Sequence, residues 1–368
     1  MRRLAWVATT LVVFALVATT GVGWYYSGEI LDVEAPAAVT YDTRVLAATA
    51  DQVTLEANAE SVQPGTYGLD APEAYAQVGP ILEKAADEVT RRLTPMTGRV
   101  QPGDVVDIDG YAYPQNPAAA FEFNVENVTV DAPLGDQPAW VSHAGTGSRW
   151  AVLVHGRAAR RHECFRMLEI LHEAEVTSLC ITYRNDAEGP ADPDRIYRQG
   201  ATEWEDVEAA MRYAVDHGAE DVVLVGFSMG GQITANFLRH SSLASNVTGV
   251  IWDAPLLDWG PVIAAGADER GVPQWLVPIG MQASEWRAGI DYADLNQIVH
   301  ADEFTQPILL LHGTADASVP FSVAQRFAAA RPDDTTFVRF PGAGHVRAWN
   351  ADPSQYSRAV NDFLATLD

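Results

Sequence analysis

The stretch Gly-Phe-Ser-Met-Gly at residues 226–230 decides the fold of this chain. It follows the apolar run Val222–Val225, which is typical of a buried strand, and precedes the helical run Gln232–Arg239. A nucleophilic serine must project from a turn too tight for side chains on its neighbours, so both flanking positions are glycine. The N-terminus of the following helix can also stabilise developing negative charge. We therefore predict that Ser228 is a nucleophile.

Apolar runs on both sides of this stretch alternate with helical segments. Such runs between helices are typical of a mainly parallel sheet that is covered on both faces. The runs are residues 150–154, 177–183, 221–227, 248–252, 307–311 and 336–340, and they follow a predicted hairpin at 127–130 and 139–142. We predict an α/β catalytic domain over residues 123–368, in which an antiparallel hairpin leads six parallel strands.

A serine is a weak nucleophile at neutral pH and needs a base. His345 ends a loop of small residues just after the last predicted strand. Asp316 lies in the loop after the strand at 307–311, where a carboxylate can orient the imidazole and stabilise its charged form. We predict that Ser228, Asp316 and His345 form a catalytic triad. The alternatives are a surface histidine and a turn-forming aspartate.

A triad of this kind also needs backbone donors for the oxyanion of its tetrahedral intermediate. The residue after the nucleophile, Met229, supplies one N–H group. The loop after residues 150–154 should supply the second, since Gly156 allows a sharp turn there. We predict that the backbone N–H of Arg157 is that donor.

No cofactor is required by this chemistry, because the nucleophile and the base are protein groups. His155, His162 and Glu163 lie close together in sequence, but their spacing matches no zinc pattern. We therefore expect no metal ion, and we interpret His155 as a structural loop residue.

The segment 256–302 separates two predicted strands and is longer than an ordinary connection. We predict that it forms a small helical lid inserted in the catalytic domain. Trp259, Trp275 and Trp286 would line an apolar substrate pocket beneath it. The alternative is that these aromatic side chains only pack the lid onto the core.

Residues 4–26 carry no charged side chain and follow Arg2 and Arg3. As a helix they would extend roughly 34 Å, enough to span a bilayer. We predict a transmembrane signal anchor at residues 1–26 that leaves the catalytic domain on the outer side of the cell membrane in a single-pass topology. The alternative is a cleaved signal peptide that leaves a secreted protein.

Residues 27–122 show short alternating runs interrupted by turn clusters, as at residues 52–56 and 104–108. Within this region, a helix is indicated only at about residues 80–90. We predict a small β-rich accessory region of unknown role.

The composition of the 368 residues is strongly acidic, with 49 Asp and Glu against 24 Lys and Arg and a net charge of −25. A nucleic-acid-binding protein needs a basic patch, so we expect no nucleic-acid partner. Any membrane contact should come through a hydrophobic segment, because an acidic surface repels anionic lipids. Cys164 and Cys180 fall on a predicted helix and the next strand, where either a disulfide or two buried thiols would fit.

Taken together, the sequence from about residue 124 onward resembles the α/β-hydrolases. The resemblance rests on His155-Gly156, the stretch 226–230, Asp316 and His345, and it covers about two-thirds of the chain. Residues 183–186 and 202–207 further resemble membrane-anchored hydrolases of high-GC Gram-positive bacteria, an actinobacterial group whose substrates are mostly unassigned.

The resemblance implies a serine hydrolase that cleaves a small-molecule carboxylic ester through an acyl-enzyme. Related branches include prolyl-oligopeptidase-type peptidases, so a serine peptidase or amidase is the alternative. Residues 27–122 are too short for the seven-bladed propeller of those peptidases and could hold two blades. A catalytically inactive binding protein on the same fold is a third alternative.

Overall fold

The computed structural model describes residues 2–35, 39–145 and 147–367. Within the first helix, the side chains of residues 2–5, 7–9, 11–13 and 15–18 lie outside that description. The described residues form an N-terminal helix, a closed β-barrel and an eight-stranded sheet with helices on both faces.

Helix α1 runs from Arg2 to Leu31 and so extends past the predicted end of the anchor. Ile30 and Leu31 at its C-terminal end are buried in the core around the large sheet. Among the described residues, no helix is both long enough and apolar enough to cross a membrane. The transmembrane segment predicted at residues 1–26 is thus not supported by the structure, and part of it lies outside the described side chains.

The accessory region contains a six-stranded barrel. Its strand order is β1-β2-β5-β4-β3-β6, and β1 pairs with β6 to close it. Alternate side chains such as Val53, Leu55 and Val78 point inward and are fully buried, which is the period expected of a strand with one face in a core. The strands are β1 Thr43–Ala48, β2 Gln52–Glu56, β3 Tyr67–Ala71, β4 Ala74–Lys84, β5 Glu88–Thr97 and β6 Val105–Asp109.

The predicted helix at about 80–90 is wrong, because β4 and β5 form an antiparallel pair there. Residues that favour a helix in isolation adopt the extended conformation here, because they pair with residues of the neighbouring strand, as Ile81 pairs with Arg91. The Arg91 guanidinium is buried inside this region and donates hydrogen bonds to the carbonyls of Gly79, Ser61 and Gly65. The accessory region forms one closed barrel and not the two propeller blades that its length would allow.

The large sheet has the strand order β14-β13-β12-β11-β9-β10-β8-β7. The hairpin β7–β8 is antiparallel, and β8 pairs antiparallel with β10. All other neighbours are parallel. This confirms the predicted hairpin followed by six parallel strands. The strands are β7 Glu126–Ala132, β8 Gly135–Ser142, β9 Arg149–Val154, β10 Thr177–Ile181, β11 Asp221–Phe227, β12 Val247–Asp253, β13 Ile308–Gly313 and β14 Thr335–Phe340.

Helices cover both faces of this sheet. Side chains alternate between the two layers along each strand, so that Val152 and Leu224 belong to one core and Leu153 and Val225 to the other. The helices that follow α1 are α2 Pro117–Ala120, α3 Phe165–Glu173, α4 Trp204–Asp216, α5 Met229–His240, α6 Trp259–Glu269, α7 Val277–Ala288, α8 Phe321–Ala330, α9 Ala348–Ala351 and α10 Pro353–Ala365. Helices α6 and α7 lie in the segment predicted as a helical lid.

The barrel is fastened to the catalytic domain beside the C-terminal loop. Asn350 is fully buried, and its side chain donates to the carbonyls of Thr66 and Gly110. The N–H of Thr66 donates back to the Asn350 carbonyl over 2.7 Å.

Cys164, directly before α3, and Cys180, on β10, are buried free thiols. Burial raises the pKa of the Cys164 thiol, which also lies against Cys180.

Candidate active site

Ser228 occupies a sharp turn between β11 and α5, with φ of 51° and ψ of −116°. Positive φ is unusual for a residue with a side chain and is a strained conformation. A Cβ atom on Gly226 would lie 2.6 Å from the carbonyl oxygen of Gly230, and a Cβ on Gly230 would lie 2.1 Å from that of Val154. Both flanking positions must therefore be glycine for the serine to adopt this turn.

The structure brings Ser228, His345 and Asp316 together at the carboxyl end of the sheet. His345 Nε2 lies 2.8 Å from Ser228 Oγ, and His345 Nδ1 lies 2.8 Å from Asp316 Oδ2. An ionised carboxylate accepts only, so Nδ1 carries the proton and Nε2 is free to accept one from the serine. Loops after β13 and β14 deliver the two partners, as the sequence predicts.

Asp316 is fixed from several sides. Its Oδ1 accepts hydrogen bonds from the backbone N–H groups of Ser318 and Val319, at 2.9 and 2.8 Å. Its Oδ2 also lies 3.2 Å from His312 Nε2. Burial alone would raise the pKa of Asp316, but the hydrogen bonds from His312 and His345 outweigh it and lower the pKa to about 2. The carboxylate is therefore ionised at neutral pH.

Asp253 at the end of β12 is another buried carboxylate near the strand ends. It accepts a hydrogen bond from the Tyr356 hydroxyl over 3.1 Å and makes none to His345. Burial raises the pKa of Asp253 to about 6, since removal from water penalises the charged form. The geometry thus favours Asp316 over Asp253 as the partner of the imidazole.

The loop after β9 passes directly beside the nucleophile. A Cβ atom on Gly156 would lie 3.0 Å from the Ser228 Cβ, tighter than an ordinary contact, so glycine favours this close approach. The Gly156 N–H donates to Glu163 Oε2 over 2.7 Å and is not available to a substrate. Among the described residues, the backbone N–H groups of Arg157 and Met229 have no hydrogen-bond partner. Both groups are thus free to act as the predicted oxyanion donors.

Glu163 and Arg166 connect this loop to the loop of the histidine. The Arg166 guanidinium is buried, donates to the Val346 carbonyl over 2.5 Å, and lies 3.5 Å from Glu163 Oε1. Glu163 in turn holds the Gly156 N–H. Sequence reasoning missed this link, and the only signal was a charge pair three residues apart at the start of a helix.

His155 and His162 make structural contacts. His155 is fully buried, stacks on Tyr183, and lies 2.8 Å from Asp186 Oδ2. Burial alone would lower the pKa of His155, but the Asp186 carboxylate outweighs it and raises that pKa. His162 Nε2 lies 2.8 Å from the Tyr113 carbonyl. Within the described ranges, no group of three or more His, Cys, Asp or Glu side chains could hold a metal ion.

A cavity of 350 Å³ opens from Ser228 and His345 toward the lid. Its walls come from α6, from α7 and, unexpectedly, from the end of α1. Trp259 lines it and is 4% exposed. Trp275 and Trp286 are 68% and 77% exposed and do not line it, so the prediction that all three tryptophans face the pocket is wrong for these two. Their spacing in sequence could not distinguish the inner from the outer face of the lid.

Comparisons with known proteins agree with this architecture. Residues 151–359 match the model of the alpha/beta hydrolase family, and residues 44–109 match a domain of unknown function (DUF8805). The first match covers more than half of the chain. The protein therefore belongs to the alpha/beta hydrolase family. Its barrel corresponds to the domain of unknown function DUF8805.

Individual relatives are distant. An uncharacterised protein of Salmonella typhimurium, YfhR, is 22% identical over 71% of this chain and 89% of its own length. The esterase Pf2001 of Pyrococcus furiosus superposes with a TM-score of 0.55 at 19% identity, over 66% of this chain and 91% of the esterase. A membrane phospholipase A described as a bacterial virulence factor gives a TM-score of 0.51 at 17% identity, over 66% and 86% of the two chains. At such identities the similarity shows the fold alone.

Proposed function

We propose that this hydrolase cleaves carboxylic esters through Ser228, His345 and Asp316 and a covalent acyl-enzyme. The observation that carries the proposal is the unbroken hydrogen-bonded line from Ser228 Oγ through the His345 ring to Asp316, with both distances at 2.8 Å. A nucleophile and a base within hydrogen-bond reach, and a third group that orients the base, are the requirements for an activated serine.

In the proposed reaction, Ser228 Oγ attacks the ester carbonyl while His345 Nε2 takes the hydroxyl proton. The backbone N–H groups of Met229 and Arg157 stabilise the oxyanion of the tetrahedral intermediate. His345 then gives its proton to the departing alkoxide, which leaves an acyl group on Ser228. A water molecule, deprotonated by His345, hydrolyses that acyl group and restores the serine. Asp316 remains ionised throughout and stabilises the imidazolium.

The peptidase alternative requires a free charge that captures a peptide terminus. Arg157 borders the cavity, but its guanidinium is already bonded to the carbonyls of Ile30 and Asp32 and to the Glu34 carboxylate. Arg161 lies over the Trp140 ring and is paired with Glu188. The guanidinium groups of Arg157 and Arg161 are thus occupied and offer no free charge to a peptide terminus. The hydrogen-bonded triad likewise argues against an inactive binding protein.

Activity-based labelling with a fluorophosphonate, followed by parallel assays of p-nitrophenyl esters and aminoacyl anilides, tests the proposal. We expect covalent labelling of Ser228 and turnover of esters well above that of anilides. Preferred turnover of anilides would establish the peptidase instead. A protein that is neither labelled nor active would establish the inactive fold.

The cellular location is a further part of the proposal. We propose that residues 1–26 direct the catalytic domain to the outer side of the cell membrane, on the support of Arg2 and Arg3 before an uncharged stretch. Fractionation of expressing cells and protease treatment of intact spheroplasts test it. We expect the full chain to sediment with membranes and to be digested from outside. A mature N-terminus near Trp24 would indicate cleavage and secretion.

A further inference from the structure

The end of α1 forms part of the substrate cavity. Tyr26 and Ile30 line the cavity together with Ser228 and His345, although they lie about 200 residues or more before these in sequence. Apolar side chains of α6, such as Val262, line the same cavity. The helix that the sequence assigns to an anchor is thus one wall of the pocket, and α6 and α7 supply the others.

This wall is fixed to the oxyanion loop by hydrogen bonds. The Ile30 carbonyl accepts from Arg157 Nη1 and from Gln199 Nε2, each over 2.6 Å. The neighbouring Leu31 carbonyl accepts from the Tyr197 N–H over 2.7 Å. Ile30 is therefore held at a set distance from the donor that is proposed to bind the oxyanion.

The same wall packs against α7 through close contacts at two glycines. A Cβ atom on Gly23 would lie 3.0 Å from Ile279 Cγ2 and 3.3 Å from Ala283 Cβ. A Cβ atom on Gly280 would lie 3.3 Å from Tyr26 Cβ. These distances are tighter than ordinary side-chain contacts, so glycine at both points favours the close approach of the two helices. Both helices contribute lining residues to the cavity.

We infer that the last turns of α1 determine which acyl chains the enzyme accepts. In this inference Ile30 is the residue that selects between chains, and the contact between α1 and α7 determines how wide the pocket is. This inference rests on the proposed ester hydrolysis, because it assigns the cavity to the acyl group. An apolar wall discriminates between chains by about tenfold or more per methylene that it admits or excludes.

Two pairs of variants in the full-length protein test the inference. Gly23→Leu forces α1 away from α7, and its control is Gly21→Leu, where a Cβ would have no described atom beyond its own turn within 4 Å. Ile30→Ala removes the wall side chain, and its control is Leu31→Ala, a fully buried neighbour that does not line the cavity. The measurement is kcat/KM for p-nitrophenyl esters from acetate to palmitate, with thermal unfolding recorded for each variant.

We expect Gly23→Leu and Ile30→Ala to raise the ratio of long-chain to short-chain kcat/KM by about tenfold, while both controls keep the wild-type ratio. If Gly23→Leu does not fold, the Ile30 and Leu31 pair decides alone. An unchanged ratio in Ile30→Ala, or an equal shift in either control, overturns the inference while ester hydrolysis by the wild type stands. A wild-type protein that hydrolyses no ester overturns the proposed function, and the inference falls with it.

Discussion

The loops that carry the triad and the helices that enclose the cavity are held in different ways. Asp316 and His345 are held by hydrogen bonds from backbone and side chains within two neighbouring loops. The wall formed by α1 and α7 depends on close packing around Gly23 and Gly280. Apart from the hydrogen bond from Arg157 to the Ile30 carbonyl, the triad and the cavity wall thus rest on different contacts, so most changes to one should leave the other in place.

The strongest test of this separation is removal of the nucleophile. Ser228→Ala should abolish hydrolysis and fluorophosphonate labelling, with a loss of kcat on the order of 10⁴–10⁶, because the other groups have no atom left to activate. The cavity should be unaffected, so a fluorescent ester analogue should bind as before and the thermal midpoint should stay nearly unchanged. Covalent labelling of the variant would assign the nucleophile elsewhere.

Removal of the Asp316 charge gives the next largest effect. Asp316→Asn should lower kcat by roughly 10⁴, because the imidazole loses the partner that fixes its tautomer and stabilises its charged form. The matched control is Asp253→Asn, which alters a buried carboxylate that does not contact His345 and should change kcat far less.

Combining Asp316→Asn with His345→Ala provides a second check on that assignment. The double variant should be little slower than His345→Ala alone, because an orienting carboxylate has nothing left to orient. Losses that multiply would mean that the two residues act independently and that Asp316 is not the acid of the triad.

A smaller effect is expected at the loop that carries the oxyanion donors. Glu163→Ala leaves the Gly156 N–H unpaired and loosens the loop, so kcat should fall by about 10–100-fold at unchanged KM, less than the roughly 10²–10³ for outright loss of a donor. Glu163→Gln keeps an acceptor and should restore most of the rate. Exposed Glu173 near the end of the same helical segment is the control. A change in KM alone would assign Glu163 to the pocket instead.

The smallest effect concerns stability in acid. Because the folded pKa of Asp316 is about 2 and an unfolded aspartate titrates near 3.9, its charge stabilises the fold above pH ~4. That contribution, roughly 2–3 kcal/mol, is lost as the pH falls toward 2. The difference in thermal midpoint between the wild type and Asp316→Asn should therefore shrink between pH 6 and pH 2.5. A constant difference would mean that the carboxylate charge contributes no stability.

The residues at the strand ends can be predicted from the sequence because their positions depend on residues close to them in the chain. The glycines around Ser228 are required by the turn itself, and the positions of Asp316 and His345 follow from the strands before them. A short motif can therefore specify the nucleophile and its geometry together. The family match and the observed strand order confirm the fold that this motif predicts.

The cavity wall was not predictable in the same way. Nothing in the residues around Ile30 indicates that they meet a lid some 250 residues later, because the α1–α7 contact depends on tertiary packing rather than on a motif. The inward Trp259 and the outward Trp275 and Trp286 are equally aromatic in sequence. The strand pair over residues 80–90 was missed for a related reason, since barrel closure overrides local helix preference.

The long-range contacts of α1 have a consequence for the order of synthesis. The barrel can close as soon as β6 has been made, because all of its strands lie between Thr43 and Asp109. The inner face of α1, by contrast, must wait for α7, which ends at Ala288. At ~5–20 residues per second the ribosome leaves that face uncovered for on the order of 12–50 s. During this interval the nascent chain is exposed to aggregation and to chaperones, and the pocket is completed only once α7 and the loop of His345 have been made.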